Sequence, residues 1–163
     1  MAAELEFRHV SSEHGDGAAL LAAMVEEIRE LYWDVGDGLD LTAPDMPAAG
    51  PAELSPPTGT YLVGYRDGQP VCGGGIKRLC DGACEIKRMY VVPAARRQGI
   101  AKALLRALED AAQRIGYDVV RLDTGPRQPH ARDLYLAQGY REIDNFNGNP
   151  VATFFGEKRL SGD

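Results

Sequence analysis

The run Arg96-Arg97-Gln98-Gly99-Ile100-Ala101 sets cationic side chains, a glycine and small residues just ahead of a segment with strong apolar periodicity. That arrangement suits a diphosphate. The first turn of a helix leaves backbone N–H groups unpaired and partially positive, and phosphate is their natural partner. Gly99 lets a ligand approach the backbone closely, and Ala101 is small for the same reason. Arg96 and Arg97 add charge and paired donors. A plain loop with solvated arginines is the competing reading. The run is not a Walker loop, because no Gly-Lys-Ser/Thr follows, and a dinucleotide fingerprint has more glycines. Thiol chemistry is less promising. Cys72, Cys80 and Cys84 read as free thiols packing on strands. Cys80 and Cys84 alone do not close a tetrahedral site, so no metal is expected.

The elements that must position these groups follow from periodicity. Residues 4–10 read as a short first strand, and 11–17 as a polar loop. Leu20, Leu21, Met24, Ile28, Leu31 and Tyr32 recur at helical spacing, which predicts an amphipathic helix over 18–34. Residues 36–58 are rich in Gly, Pro, Ala and Asp and lack periodicity. They read as a long loop that buries little, of a length often tied to function. Asp67-Gly68 and Asp81-Gly82 are turn signals that divide 61–92 into a three-strand meander, stopped by Pro93. Gly73, Gly74 and Gly75 sit in its middle strand and suggest a bulge or a close approach. A clear helix spans 100–115, closed by Gly116. A buried strand over 118–123, a helix over 129–138 opened by Pro129, and closing strands over 140–143 and 151–158 complete the chain. The predicted order is β-α-β-β-β-α-β-α-β-β, an α+β fold with a mixed, mostly antiparallel sheet flanked by helices, in a single domain over 1–163.

Composition narrows the function classes. The chain has 163 residues, 44% hydrophobic and 26% charged, and a net charge of -6. That length supports one sizeable core. The acidic balance argues against nonspecific nucleic-acid binding, which needs many cations. No apolar run is long enough to span a bilayer, and the mixed start MAAELEFRHV is not an export signal. The expectation is a cytoplasmic protein with no membrane or nucleic-acid partner.

Arg96–Ala101 matches the Gln/Arg-x-x-Gly-x-Gly/Ala signature, and in this the chain resembles the GNAT superfamily of N-acetyltransferases. Residues 85–93 look like that family's fourth strand. Residues 133–140 are similar to its Leu-Tyr-x-x-x-Gly-Phe/Tyr segment. The resemblance covers about the last two-thirds of the chain by element order. The first sixty residues correspond in outline to the family's variable, substrate-facing part.

The resemblance implies a GNAT-like (acyl-CoA N-acyltransferase) fold whose fourth and fifth strands part to admit the pantetheine arm. It implies an enzyme that moves the acetyl group of acetyl-CoA, as cosubstrate, onto a primary amine of a small molecule, peptide or protein, by direct attack in a ternary complex. Met89, Tyr90 and Val91 would face the arm, and Arg96, Arg97, Gln98, Gly99, Ile100 and Ala101 the diphosphate. Tyr135 matches the position of the general acid and Glu85 that of a general base; Asp123 and a water chain are alternatives. An exposed strand carboxylate and a packing tyrosine are the plainer readings of Glu85 and Tyr135. Many relatives carry Asn five residues before the tyrosine, where this chain has His130, which can also donate a hydrogen bond to the cofactor. Thr124, Gly125, Arg127 and Gln128 are candidates for lining the same side. Tyr32 and Trp33 are either shapers of the acceptor pocket or core. Asp34, Asp37, Asp40 and Asp45 could attract a cationic amine. A homodimer is a further expectation. The rival function is a non-catalytic acyl-CoA-binding sensor module.

Overall fold

The computed structural model describes residues 4–35 and 39–160. The strands are β1 (Glu6–His9), β2 (Thr60–Arg66), β3 (Gln69–Cys80), β4 (Ala83–Val91), β5 (Val119–Thr124), β6 (Arg141–Glu142) and β7 (Phe154–Arg159), with helices α1 (Gly15–Leu31), α2 (Ile100–Ile115) and α3 (Pro129–Ala137). The elements follow one another in the predicted order. They build one sheet, β1-β2-β3-β4-β5-β7-β6. Every pairing is antiparallel except β4 with β5, which is parallel. Among the described residues, no helix is long and apolar enough to cross a membrane.

Local chemistry accounts for the joints. Asp67 and Gly68 both take positive φ, 52° and 75°, the backbone a tight hairpin between twisted strands needs. α2 turns Leu104, Leu105 and Leu108 onto one side of the sheet, each with no exposed surface, alongside Ile86, Val120 and Leu122. α1 lays Leu20 and Met24 on the other side, against Leu54, Tyr61, Val63 and Tyr90.

The middle of β3 and β4 carries the feature that shapes the site. Gly73 pairs with Tyr90 and Gly75 with Lys87, so Gly74 faces two residues, Arg88 and Met89. This is a β-bulge. Arg88 absorbs the extra residue in the left-handed region, φ 61°. A bulge resets the alternation of side chains across the sheet. Before it, Cys84 and Ile86 face α2; after it, Met89 and Val91 pack there, and Tyr90 faces α1. The glycines leave room: a Cβ on Gly74 would lie 2.9 Å from Leu108 and 3.3 Å from Met89.

Several bounds differ from the sequence reading. α1 starts at Gly15, inside the predicted loop, because tertiary contacts favour the helix there. Tyr65 donates to Asp16 (2.7 Å), and Gly17 packs so tightly on Ser11 that a Cβ would strike its carbonyl. The chain beyond α1 buries more than its composition suggests. Leu54 is 2% exposed and packs against Gly75, Lys77 Nζ donates to the Ala48 carbonyl (2.6 Å), and Tyr117 donates to that of Thr58 (2.6 Å). β7 begins at Phe154, not at 151, because Asn149 Oδ1 takes the amides of Val151 (2.9 Å) and Ala152 (3.1 Å) out of the ladder.

Candidate active site

β4 and β5 pair only through Ala83–Val119, Cys84–Val120 and Glu85–Arg121. Beyond Glu85 they part. A cleft of ≈ 780 Å³ occupies the gap, within the usual range for ligand sites. Its floor is β4 from Ile86 to Val91, and its ends are the N-terminus of α2 and the start of α3.

At the α2 end, Gly99 is the N-cap residue with φ 76°, and no side chain caps the helix. A Cβ on Gly99 would meet nothing within 4 Å. The first-turn N–H groups are therefore open to a ligand. Gly99, Ile100, Ala101 and Lys102 line the cleft, as do Arg96 and Arg97. Arg96 is already engaged: it donates to the Val91 carbonyl (2.9 Å) and to Glu27 (2.6 Å), and lies over the Tyr90 ring. The Glu27 carboxylate holds its guanidinium above the usual range. Gln98 does not line the cleft; its amide oxygen accepts from Arg66 (2.6 Å). Arg97, with φ 64°, carries its charge to the cleft wall beside Lys102.

At the other end, Tyr135 points from α3 towards β4, its hydroxyl 3.7 Å from the Met89 sulfur. Its ring stacks on Phe154 and tilts against Tyr140, which fixes its direction. Burial, with a contribution from Asp123, raises its phenol above the ordinary value, so it keeps its proton at neutral pH. His130 and Leu134 lie on the same wall.

Glu85 is fully buried and is not a wall residue. Its Oε2 accepts from Asn147 (2.8 Å) and pairs with Lys87 (3.1 Å), while Oε1 has no partner. Asp123 pairs with the same lysine (3.5 Å) and accepts from Asn147 (2.8 Å) and Asn149 (3.0 Å). Lys87, Asp123 and Asn149 line the cleft, so the cluster reaches it through them. Burial pushes the Glu85 carboxyl up, Asp123 adds to the rise, and Lys87 opposes it.

The predicted site residues therefore gather around one cavity, with Gln98 outside its wall and Glu85 one contact behind it. Thr124, Gly125 and Gln128 line it. Tyr32 is buried at 2% exposure, lines the cleft, and donates to Gln128 (3.3 Å). Trp33 is 75% exposed. Asp34 is tied to Arg127 by an ion pair. Asp37 lies outside the described residues.

Sequence reasoning missed Lys87, Arg88, Lys102, the two asparagines, and the apolar wall formed by Leu39, Leu41, Met46 and Pro47. Lys87 carried a usable signal, since residues two apart in a strand share a face. Asn145, Asn147 and Asn149 read only as a turn. Their side chains fold the loop on itself: Asn145 Oδ1 accepts from the Gly148 amide (2.8 Å), and Asn147 Oδ1 from the Asn149 amide (3.0 Å). That folding aims two amides at the carboxylates.

Comparison with known proteins gives a consistent result. Residues 22–140 match the model of the Acetyltransferase (GNAT) family. An IAA acetyltransferase from Azospirillum brasilense is 36% identical over 110 residues, 66% of this chain and 72% of that protein. A GNAT-family acetyltransferase from Staphylococcus aureus superposes with a TM-score of 0.73 at 19% identity, over 97% of this chain and 100% of that one. A GNAT-family acetyltransferase from Elizabethkingia anophelis, solved with acetyl-CoA bound, superposes with a TM-score of 0.66 at 15% identity, over 96% and 98%. The last two likenesses concern the fold.

Proposed function

The chain belongs to the GNAT family of acetyl-CoA-dependent N-acetyltransferases, and from that premise we propose that it acetylates a primary amine by direct attack, with both substrates bound in the cleft. The observation that carries this reading is the parting of β4 and β5 beyond Glu85, beside an uncapped helix N-terminus. The residues fit a diphosphate-bearing thioester. Open space at Gly99, the first turn of α2, and the charges of Arg97 and Lys102 suit the diphosphate end. The bared backbone of Met89, Tyr90 and Val91 suits an extended arm, held much as an added strand would be. His130 lies on the cleft wall and offers a donor to the same arm. Arg96 and Gln98 act by holding the loop in place.

Acetyl-CoA supplies an activated acyl group. The chain supplies proton handling and position. An alkyl ammonium must lose a proton before it can attack. Glu85 is the base, reached through the Lys87–Asp123 pair that lines the cleft; Asp123 is the second candidate. A backbone N–H of β4 polarises the thioester carbonyl. Tyr135 donates to the departing sulfur, the place its hydroxyl already takes beside Met89 Sδ.

The test is release of free thiol from acetyl-CoA across a panel of amines. Turnover with at least one primary amine is expected. Saturable acetyl-CoA binding with no thiol release from any amine would replace this reading with a sensor module.

A further inference from the structure

Five cationic side chains other than Arg88 approach or line the cleft. Lys87 is held by Glu85 and Asp123, and Arg96 by Glu27. Arg97 and Lys102 stand at the α2 end, and Arg127 is tied to Asp34. Arg97 and Lys102 are exposed to solvent, and what sets Arg88 apart is its partial burial. Arg88 lines the cleft, yet among the described residues it makes no hydrogen bond and no ion pair. It also sits at φ 61°, in a region a long side chain adopts at a cost of about 1 kcal/mol or more.

Its place along β4 says which ligand it can meet. Val91 leads to Pro93–Ala95 and on to α2, where the diphosphate end of acetyl-CoA belongs. Met89, facing the Tyr135 hydroxyl, marks the reacting end. Arg88 lies one residue further from α2 than Met89, on the acceptor's side. Its charge is felt by Asp123 and Glu85, but those carboxylates already take Lys87, Asn147 and Asn149. Lys87 is already paired with both carboxylates, so Arg88 is the cation at this end of the cleft that no carboxylate of the described residues engages in an ion pair. A planar guanidinium with its fork free is complementary to a carboxylate.

We propose that Arg88 binds a carboxylate on the acceptor, so that the substrates of this enzyme are primary amines that also carry a carboxylate, such as free amino acids. The proposal rests on the acetyl-transfer reading and narrows its substrate class. Met89 and the bulge place the guanidinium where it fixes the acceptor by its acid group while the amine faces the thioester.

The experiment compares L-α-amino acids and ω-amino acids with their carboxamides, by thiol release from acetyl-CoA. The readout is the ratio of kcat/KM for each acid to that for its amide. Wild type should favour the acid by at least ~10-fold for its preferred acceptor, and Arg88→Gln should bring the ratio to about one. Arg88→Asn, which tolerates positive φ, should do the same and guards against a folding defect. A structural role alone would slow acid and amide alike and leave the ratio unchanged. Thiol release with a ratio near one in wild type, or an unchanged ratio in both variants, overturns the assignment while leaving acetyl transfer intact. If no amine releases thiol, transfer itself has failed, and Arg88 is judged by binding. The CoA-saturated protein should gain thermal stability from an amino acid, not from its amide, and Arg88→Asn should abolish the difference. Equal shifts, or none, overturn it.

Discussion

The Tyr135 phenol is buried on α3, braced by Phe154 and Tyr140, with its hydroxyl beside the Met89 sulfur, and in the proposed mechanism it donates the proton. Tyr135→Phe removes the proton and little else. Its acetyl-CoA thermal shift should match wild type while kcat falls by roughly 10²–10⁴, the usual worth of a positioned acid; unchanged turnover would dismiss the acid. Glu85 adds a pH signature. Burial raises its folded pKa, so the proton-free form needed by a base appears only above the ordinary carboxylate range. The groups that share its field are Lys87, Arg88 and Asp123. We expect kcat/KM to climb with pH through that raised value, and Glu85→Gln to lose the limb. The same sign governs stability. The contribution of Glu85 is fully present below its unfolded pKa and is lost as pH rises through the folded one, so Glu85→Gln should gain Tm relative to wild type across that window. A limb that persists in Glu85→Gln and vanishes in Asp123→Asn would transfer the base role. At this scale the placement of Tyr135 and Gly99 on the cleft was legible, because each stands in a motif. The sequence was silent on Arg88, because nothing local announces a left-handed arginine.

Elements were easier to read than their ends. The α2 bounds follow from periodicity and a terminal glycine, and the hairpin turns from Asp-Gly pairs. The start of α1 and the late start of β7 were not readable, because Tyr65–Asp16 and the Asn149 side chain decide them from a distance or through a side chain. The glycine triplet did signal irregularity, but only the pairing register reveals that the bulge turns Met89 towards α2. Had the strand run regularly, Met89 would share the face of Glu85 and Lys87, and Tyr135 would have no sulfur beside it. The α2 N-terminus carries its own prediction. In Gly99→Ala the new methyl meets no protein atom, so the folding cost is confined to backbone strain, about 1–2 kcal/mol. The methyl does occupy the approach of a ligand to the first turn. Acetyl-CoA affinity should therefore fall at least ~10-fold, far beyond what the stability loss explains; equal affinity would place the diphosphate elsewhere.

Across the whole molecule, the cleft is where separate parts of the fold meet. α2 and α3 form its ends, β4 and β5 its parted walls, and the chain after α1 closes one side with Leu39, Leu41, Met46 and Pro47. The α2, β4 and α3 portions were visible in the sequence, and the loop's apolar wall was not, because its contribution depends on Leu54 anchoring beneath Gly75, a contact between distant positions. A ligand spanning these parts must stabilise the native state as a unit. At a hundredfold excess over Kd the gain is ~2.7 kcal/mol, which for a chain of this size raises Tm by roughly 5–11 °C. Binding needs both ends of the site, since the chain's net charge of -6 offers no general attraction for a polyanion. Acetyl-pantetheine, which keeps the thioester arm and lacks the diphosphate, can use the β4–β5 gap but not the first turn of α2. At equal concentration it should raise Tm by no more than ~2 °C, since losing the helix-end contacts moves it from saturating to weak occupancy. Shifts of equal size for the two ligands would mean that the α2 terminus contributes nothing, and that the strand gap alone holds the acyl donor.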